Sequence, residues 1–136
     1  KAAPKTPWPL TVWLPVKIHG LGAFENYLDE KLDLARWAVR ELETIPGIEI
    51  LAPPQLSILA FRLAPEGLEA DALEELNREF LERINRATQR CFLSPTSLGG
   101  AFAIRICVIV FRTHLEHVQH CIDLVRQAAA ELLSGQ

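Results

Sequence analysis

The sequence predicts an α+β domain: a small, mainly antiparallel sheet of about four strands with helices packed on it, behind an N-terminal helical connector. Three observations predict this. Three long segments repeat apolar residues at spacings of three and four, the period of a helix buried along one stripe. Between them lie apolar runs of strand length, bounded by Pro or Gly. The resulting order is α-β-β-α-β-β-α, in which strands that follow one another through short turns pair antiparallel.

Residues 1–9 carry Pro4, Pro7 and Pro9, which favour an extended lead-in. Residues 10–18 (LTVWLPVKI) are apolar but interrupted by Pro15, which predicts a short or kinked helix that needs a cover for Trp13. Gly20 and Gly22 then break the chain. Over residues 23–45, Phe24, Leu28, Leu32, Ala35, Val39 and Leu42 mark one helix face, and Pro46-Gly47 stops the helix. Residues 10–45 thus form a connector and first long helix, and 46–136 the small domain.

Residues 48–51 and 57–63 read as strands on either side of Pro53-Pro54, with Glu66-Gly67 closing the hairpin. A second helix covers 69–88, with Leu73, Leu76, Phe80, Ile84 and Ala87 on one face. Residues 91–93 read as a short strand and 94–100 (SPTSLGG) as a loop. Residues 102–111 form the strongest strand, almost continuously apolar and therefore central in its sheet. The last helix covers 115–133, striped by Val118, Ile122, Val125, Ala129 and Leu132.

Composition excludes several classes of function. A length of 136 residues is one domain, large enough to bury a core, and 49% apolar with 23% charged residues is globular usage. The net charge is −3 and no basic stripe occurs, which argues against nucleic acid as a partner. No window of about 20 residues is free of charge or proline, so no membrane span is expected. The N-terminus lacks the pattern of a signal peptide. Cys91, Cys107 and Cys121 lie inside apolar patterns, which predicts buried, reduced thiols and a cytoplasmic setting. Methionine is absent even at position 1, which points to a chain cut from something longer or altered in sequence.

Arg105 is the most informative residue. On strand 102–111 one face presents Phe102, Ile104, Ile106, Val108 and Val110, and the other Ala103, Arg105, Cys107, Ile109 and Phe111. A guanidinium is always charged and is rarely buried without a partner. Two readings stand: an internal ion pair with a helix Glu or Asp, or a fork for a ligand carboxylate. His114, His117 and His120 recur every three residues beside Cys121, but Cys121 falls in the apolar stripe and His114 at the helix start. Solvent-facing or capping histidines are therefore expected, and no metal site. His19, before Gly20, has a surface role by default. The sequence has no glycine-rich phosphate loop, GxSxG, CxxC or HExxH, and no nucleophile–base pair.

Four blocks, WLPVKIHGLGAF (13–24), LDEKLDLARWAVRELETIPGIEILAPPQLSILAFRL (28–63), LNREFLERINR (76–86) and FAIRICVIVFRTHLEHV (102–118), resemble in order the C-terminal region of group II pyridoxal-phosphate (PLP)-dependent amino-acid decarboxylases. The resemblance covers about residues 13–133. It implies a small domain that closes over an L-amino-acid substrate in a homodimeric enzyme. A large domain would hold the cofactor, which serves as the electron sink for decarboxylation. The Schiff-base lysine motif is absent from these residues, so no catalytic residue is expected in this chain and PLP would bind mainly outside it. Arg105 aligns with a family arginine that holds the substrate α-carboxylate in glutamate-decarboxylase-like members. Lys17 falls where relatives carry a basic residue before a Tyr/His-Gly step, which is His19-Gly20 in this sequence. Both become candidates for lining the site or the domain junction. The lead KAAPKTPWPLTVW departs from the basic stretch usual in the family. Rival readings are a non-catalytic interaction or dimerisation module built on the same domain, and a carboxylate-binding module using Arg105.

Overall fold

The structure is a computed structural model and describes residues 8–88 and 91–135, with side chains from residue 13 onward. The chain divides into two compact units, one ending at Glu30 and one beginning at Lys31.

In the first unit, α1 (Trp8–His19) is followed by the start of α2 (Leu21–Leu42). Residues 1–7 of the expected extended lead-in lie outside the described residues, whereas Trp8 and Pro9 are already helical. Pro9 occupies the first helical turn, where a missing N–H leaves no bond unmade. Pro15 sits inside α1 without ending it. Gly20, at φ 81°, ends α1, its N–H donating to the Val16 carbonyl at 2.8 Å. Gly22 lies within α2 and does not break the chain. Trp13 is 55% exposed, in keeping with an apolar helix that lacks a cover of its own.

In the second unit, α2 buries Leu34, Ala35, Ala38 and Leu42. The turn after α2 depends on Gly47, at φ 79°. A Cβ there would meet Leu63 Cδ1 at 3.2 Å and Leu133 Cδ1 at 3.3 Å, and the Gly47 carbonyl accepts from the Ala64 N–H at 2.6 Å. Gly47→Ala is expected to cost about 1–2 kcal/mol from the left-handed backbone, plus the contact term. Gly67→Ala is the control, because Gly67 has φ 85° and open space where its Cβ would be. Urea midpoints of the two variants compare them directly, with Gly47→Ala expected to be the less stable.

Four strands follow the order β1-β2-β4-β3, all pairs antiparallel: β1 (Ile48–Ala52), β2 (Ile58–Leu63), β3 (Ser94–Leu98) and β4 (Ala101–Cys107). Helices α3 (Ala70–Ala87) and α4 (Leu115–Ser134) complete the unit. The α+β class and element order are those expected from the sequence. One sheet face carries Leu59, Phe61, Ile104 and Ile106 into a core shared with Phe80 and Ile84 of α3 and Ile122 and Val125 of α4. Phe61 and Phe80 meet edge to face, with centroids 6.4 Å apart and planes at 89°.

Asn77 is buried in that core. Its Oδ1 accepts from the Leu63 N–H at 2.8 Å, and its Nδ2 donates to the carbonyls of Leu63 and Leu73, both at 2.8 Å. One side chain thereby satisfies the backbone where β2 ends and fastens it to α3.

Three local expectations are corrected. Residues 91–93 are not a strand. The Asn85 side chain bonds both the N–H and the carbonyl of Leu93, at 2.9 Å each, so these groups are satisfied without a strand ladder. Residues 94–98 are not a loop but β3, and Gly99-Gly100, at φ 57° and 83°, form the two-residue turn into β4. β4 is central, but it ends at Cys107 rather than Phe111. Ile109, Val110 and Phe111 are more than half exposed.

Candidate functional site

Arg105 lies on β4 between Ala60 of β2 and Ser94 of β3, its direct cross-strand neighbours. Alternation along β4 buries Ile104 and Ile106 and turns Arg105 to the opposite sheet face, where it is exposed. Both direct neighbours are small, and Ile58 and Arg62 flank Ala60 on the same face of β2. Its Nε donates to Ser94 Oγ at 3.2 Å. Among the described residues no carboxylate pairs with it, which sets aside the internal ion pair.

The contrast with Arg62, the arginine of β2, is direct. Arg62 Nε is held by Glu49 Oε2 of β1 at 2.6 Å. The α3 arginines Arg78, Arg83 and Arg86 pair with Glu74, Glu79 and Glu82 one turn back. Arg105 instead presents most of its donors to solvent. The side chain is exposed although Ala60 and Ala103 on the same sheet face are buried, so it does not sit in the apolar interior expected from the sequence.

Lys17 and His19 are exposed on α1, in the first unit. Two residues apart on a helix, they point to different sides, so α1 does not bring them together. His117 Nδ1 accepts from the His114 N–H at 3.3 Å at the start of α4, and His120 Nε2 lies 3.4 Å from Thr88 Oγ1. These contacts give the histidines capping and packing roles. Among the described residues, no three of His, Cys, Asp and Glu group as metal ligands.

The three cysteines are not alike. Cys121 is buried, Cys91 half-buried and Cys107 exposed, so the expectation of three buried thiols is corrected at Cys107, which shares the outward side of β4 with Arg105. Lys31, to which the sequence reading assigned nothing, is 2% exposed, with Nζ donating to the Thr113 carbonyl at 2.5 Å. An ammonium on a helix otherwise striped with Leu and Ala has no sequence signature of that distant partner.

Two of the cavities among the described residues lie in the second unit. One, of about 370 Å³, is bordered by Arg62, Asp71, Asn77, Gly99 and Phe102. The other, of about 230 Å³, lies beside the three cysteines. Neither is lined by a lysine, and the ammonium of Lys31 is engaged elsewhere. Neither of these two cavities therefore offers an amine for a pyridoxal-phosphate Schiff base.

No family model matches the chain. Curated proteins do. Tyrosine decarboxylase 2 of Arabidopsis thaliana is 28% identical over 122 residues, which is 90% of this chain and 22% of that protein. An aromatic-L-amino-acid decarboxylase of Bacillus atrophaeus is 32% identical over 126 residues, 90% of this chain and 26% of that protein. Among solved structures, Catharanthus roseus tryptophan decarboxylase in complex with L-tryptophan matches with a TM-score of 0.79 at 24% identity, covering 90% of this chain and 25% of that one. Oryza sativa TDC with PLP and tryptamine matches with a TM-score of 0.81 at 19% identity, covering 90% and 26%. At these identities the solved structures show a shared fold.

The class is thus a four-stranded α+β domain that corresponds to one part of larger enzymes. By sequence and fold, the chain is a relative of the C-terminal domain of group II PLP-dependent amino-acid decarboxylases. It spans about a quarter of the length of the curated relatives it matches.

Proposed function

We propose that this chain is the small C-terminal domain of a PLP-dependent L-amino-acid decarboxylase, where it helps to close the active site and holds the substrate α-carboxylate through Arg105. The observation that carries the reading is an exposed strand arginine with no carboxylate partner among the described residues, in a chain whose relatives are decarboxylases. A guanidinium fork binds a carboxylate through two parallel charge-assisted hydrogen bonds, fixing orientation as well as position. Ser94, bonded to Nε, limits the rotation of the fork and leaves its terminal nitrogens for the ligand. Positioning is the contribution expected of such a domain, and lowers the barrier by holding the reacting groups in register.

Cofactor chemistry belongs, in this reading, to the large domain of the same enzyme, with a homodimer partner completing the site in the cytoplasm. Lys17 and His19 line the site or the domain junction, and residues 10–45 act as the connector to the 46–136 domain. The isolated chain is then catalytically incomplete. Incubated with pyridoxal phosphate and L-amino acids, it should release no amine or carbon dioxide.

The test is Arg105→Ala in the enzyme that contains this chain. Loss of a hydrogen-bonded charge, about 1.5–3 kcal/mol, should lower kcat/KM about 10- to 100-fold. Arg105→Lys should restore only part of it, because an ammonium lacks the planar fork. Urea midpoints should stay unchanged, since the side chain is exposed. Unchanged kinetics in both variants would remove the carboxylate clamp.

A second reading, an interaction or dimerisation module without catalysis, is favoured by the exposed Trp13, Leu14, Ile18 and Leu21. Sedimentation separates the two, because a stable dimer of this chain alone supports the module.

A further inference from the structure

All three cysteines line the cavity of about 230 Å³ enclosed by the 91–93 segment, the end of β4 and the start of α4. Cys121 lies on the buried stripe of α4 at 4% exposure, and its side chain neighbours that of Cys91 on the wall of this cavity. Cys91 is only half-buried, on a segment that is neither helix nor strand. Cys107 is exposed and alternates with the buried Ile106 along β4, and among the described residues no hydrogen bond ties it to either of the other sulfurs.

We propose that Cys91 and Cys121 form a covalent-modification site, a dithiol that hydrogen peroxide closes to a disulfide, with Cys91 the attacking sulfur and Cys121 the resolving one. The contact between them supports the assignment of roles. The neighbouring Cys121 side chain draws the Cys91 thiol below its ordinary value, while the Cys91 side chain and burial push Cys121 up. Peroxide reacts with thiolate, so the half-buried sulfur is the one that attacks.

In the first step the Cys91 thiolate bonds to one peroxide oxygen and the O–O bond breaks. Cys91 becomes a sulfenic acid, and the departing hydroxide leaves as water with the thiol proton. In the second step the Cys121 sulfur displaces hydroxide from the Cys91 sulfur, forming the S–S bond, and its proton leaves in a second water. Two electrons pass from the two sulfurs to one peroxide.

Trypsin places each cysteine on its own peptide, 91–105, 106–112 and 113–126, so the linkage is read without ambiguity. The intact reduced chain is treated with one equivalent of hydrogen peroxide, its free thiols are alkylated under denaturing conditions, and the digest is mapped by mass spectrometry. The expected result is 91–105 joined to 113–126, released by dithiothreitol, with Cys107 carrying the alkyl group. Cys107→Ser should keep the link. Cys121→Ala should abolish it and leave Cys91 as a sulfenic acid trapped by dimedone. A link through 106–112, oxidation of Cys107 with Cys91 untouched, or no oxidation at all would each overturn the proposal. The mapping of the unaltered chain decides even where a variant fails to fold.

Discussion

Asn77→Leu is expected to lower the stability of the unit beginning at Lys31 by about 2–5 kcal/mol, although it replaces a polar side chain in the core with an apolar one. The volume is nearly kept, so the loss is not a cavity effect. It arises because the N–H and carbonyl of Leu63 both end on Asn77, at 2.8 Å each, in a region closed to water. Each buried backbone group left without a partner costs about 1–3 kcal/mol. Asn77→Asp separates the two halves of the bond pair. A carboxylate still accepts from the Leu63 N–H but cannot donate to the Leu63 or Leu73 carbonyl. Urea unfolding at constant m-value measures both variants, and a loss below 1 kcal/mol for Asn77→Leu would contradict the account.

Phe80→Ala is expected to cost about 3–5 kcal/mol, from lost transfer energy and the cavity that remains. Phe80 is fully buried and meets Phe61 edge to face. The pair therefore contributes about 0.5–1.5 kcal/mol beyond area burial. A double-mutant cycle with Phe61→Ala isolates that part, with a coupling of the same size expected. Additive losses would show the ring geometry to be incidental.

The architecture was legible because it is carried by periodicity. The stripe of α3 through Leu76, Phe80 and Ile84 and that of α4 through Val118, Ile122 and Val125 are buried as their spacing demands. What escaped was decided by partners distant in sequence. Ser94–Leu98 is polar and contains a proline, yet it is a strand because β4 supplies the ladder. The adjacent Gly-Gly was a readable hairpin signal. Conversely, the apolar run 108–111 looked like a continuation of β4 but leaves the strand after Cys107, with the Val108 N–H donating to the Ser57 carbonyl at 2.8 Å and the Val110 carbonyl accepting from the Thr113 N–H at 2.9 Å in a turn.

The candidate site was legible only in part. A cation among alternating apolar residues singled out Arg105, but not which face it occupies or that Ser94 would meet it. The approach of Cys91 to Cys121 across 30 positions had no local signal at all.

Pro95 carries a consequence for the sheet margin. Leu98 and Ala101 close the hairpin, so by the alternation of an antiparallel ladder Pro95 stands at a position whose missing donor faces outward. At the far margin, β1 is irregular between Ile50 and Ala52 and runs straight into Pro53-Pro54. A foreign strand docking on either side would find a ladder interrupted within a few residues. The sheet is thereby guarded at both margins against fibril-like polymerisation.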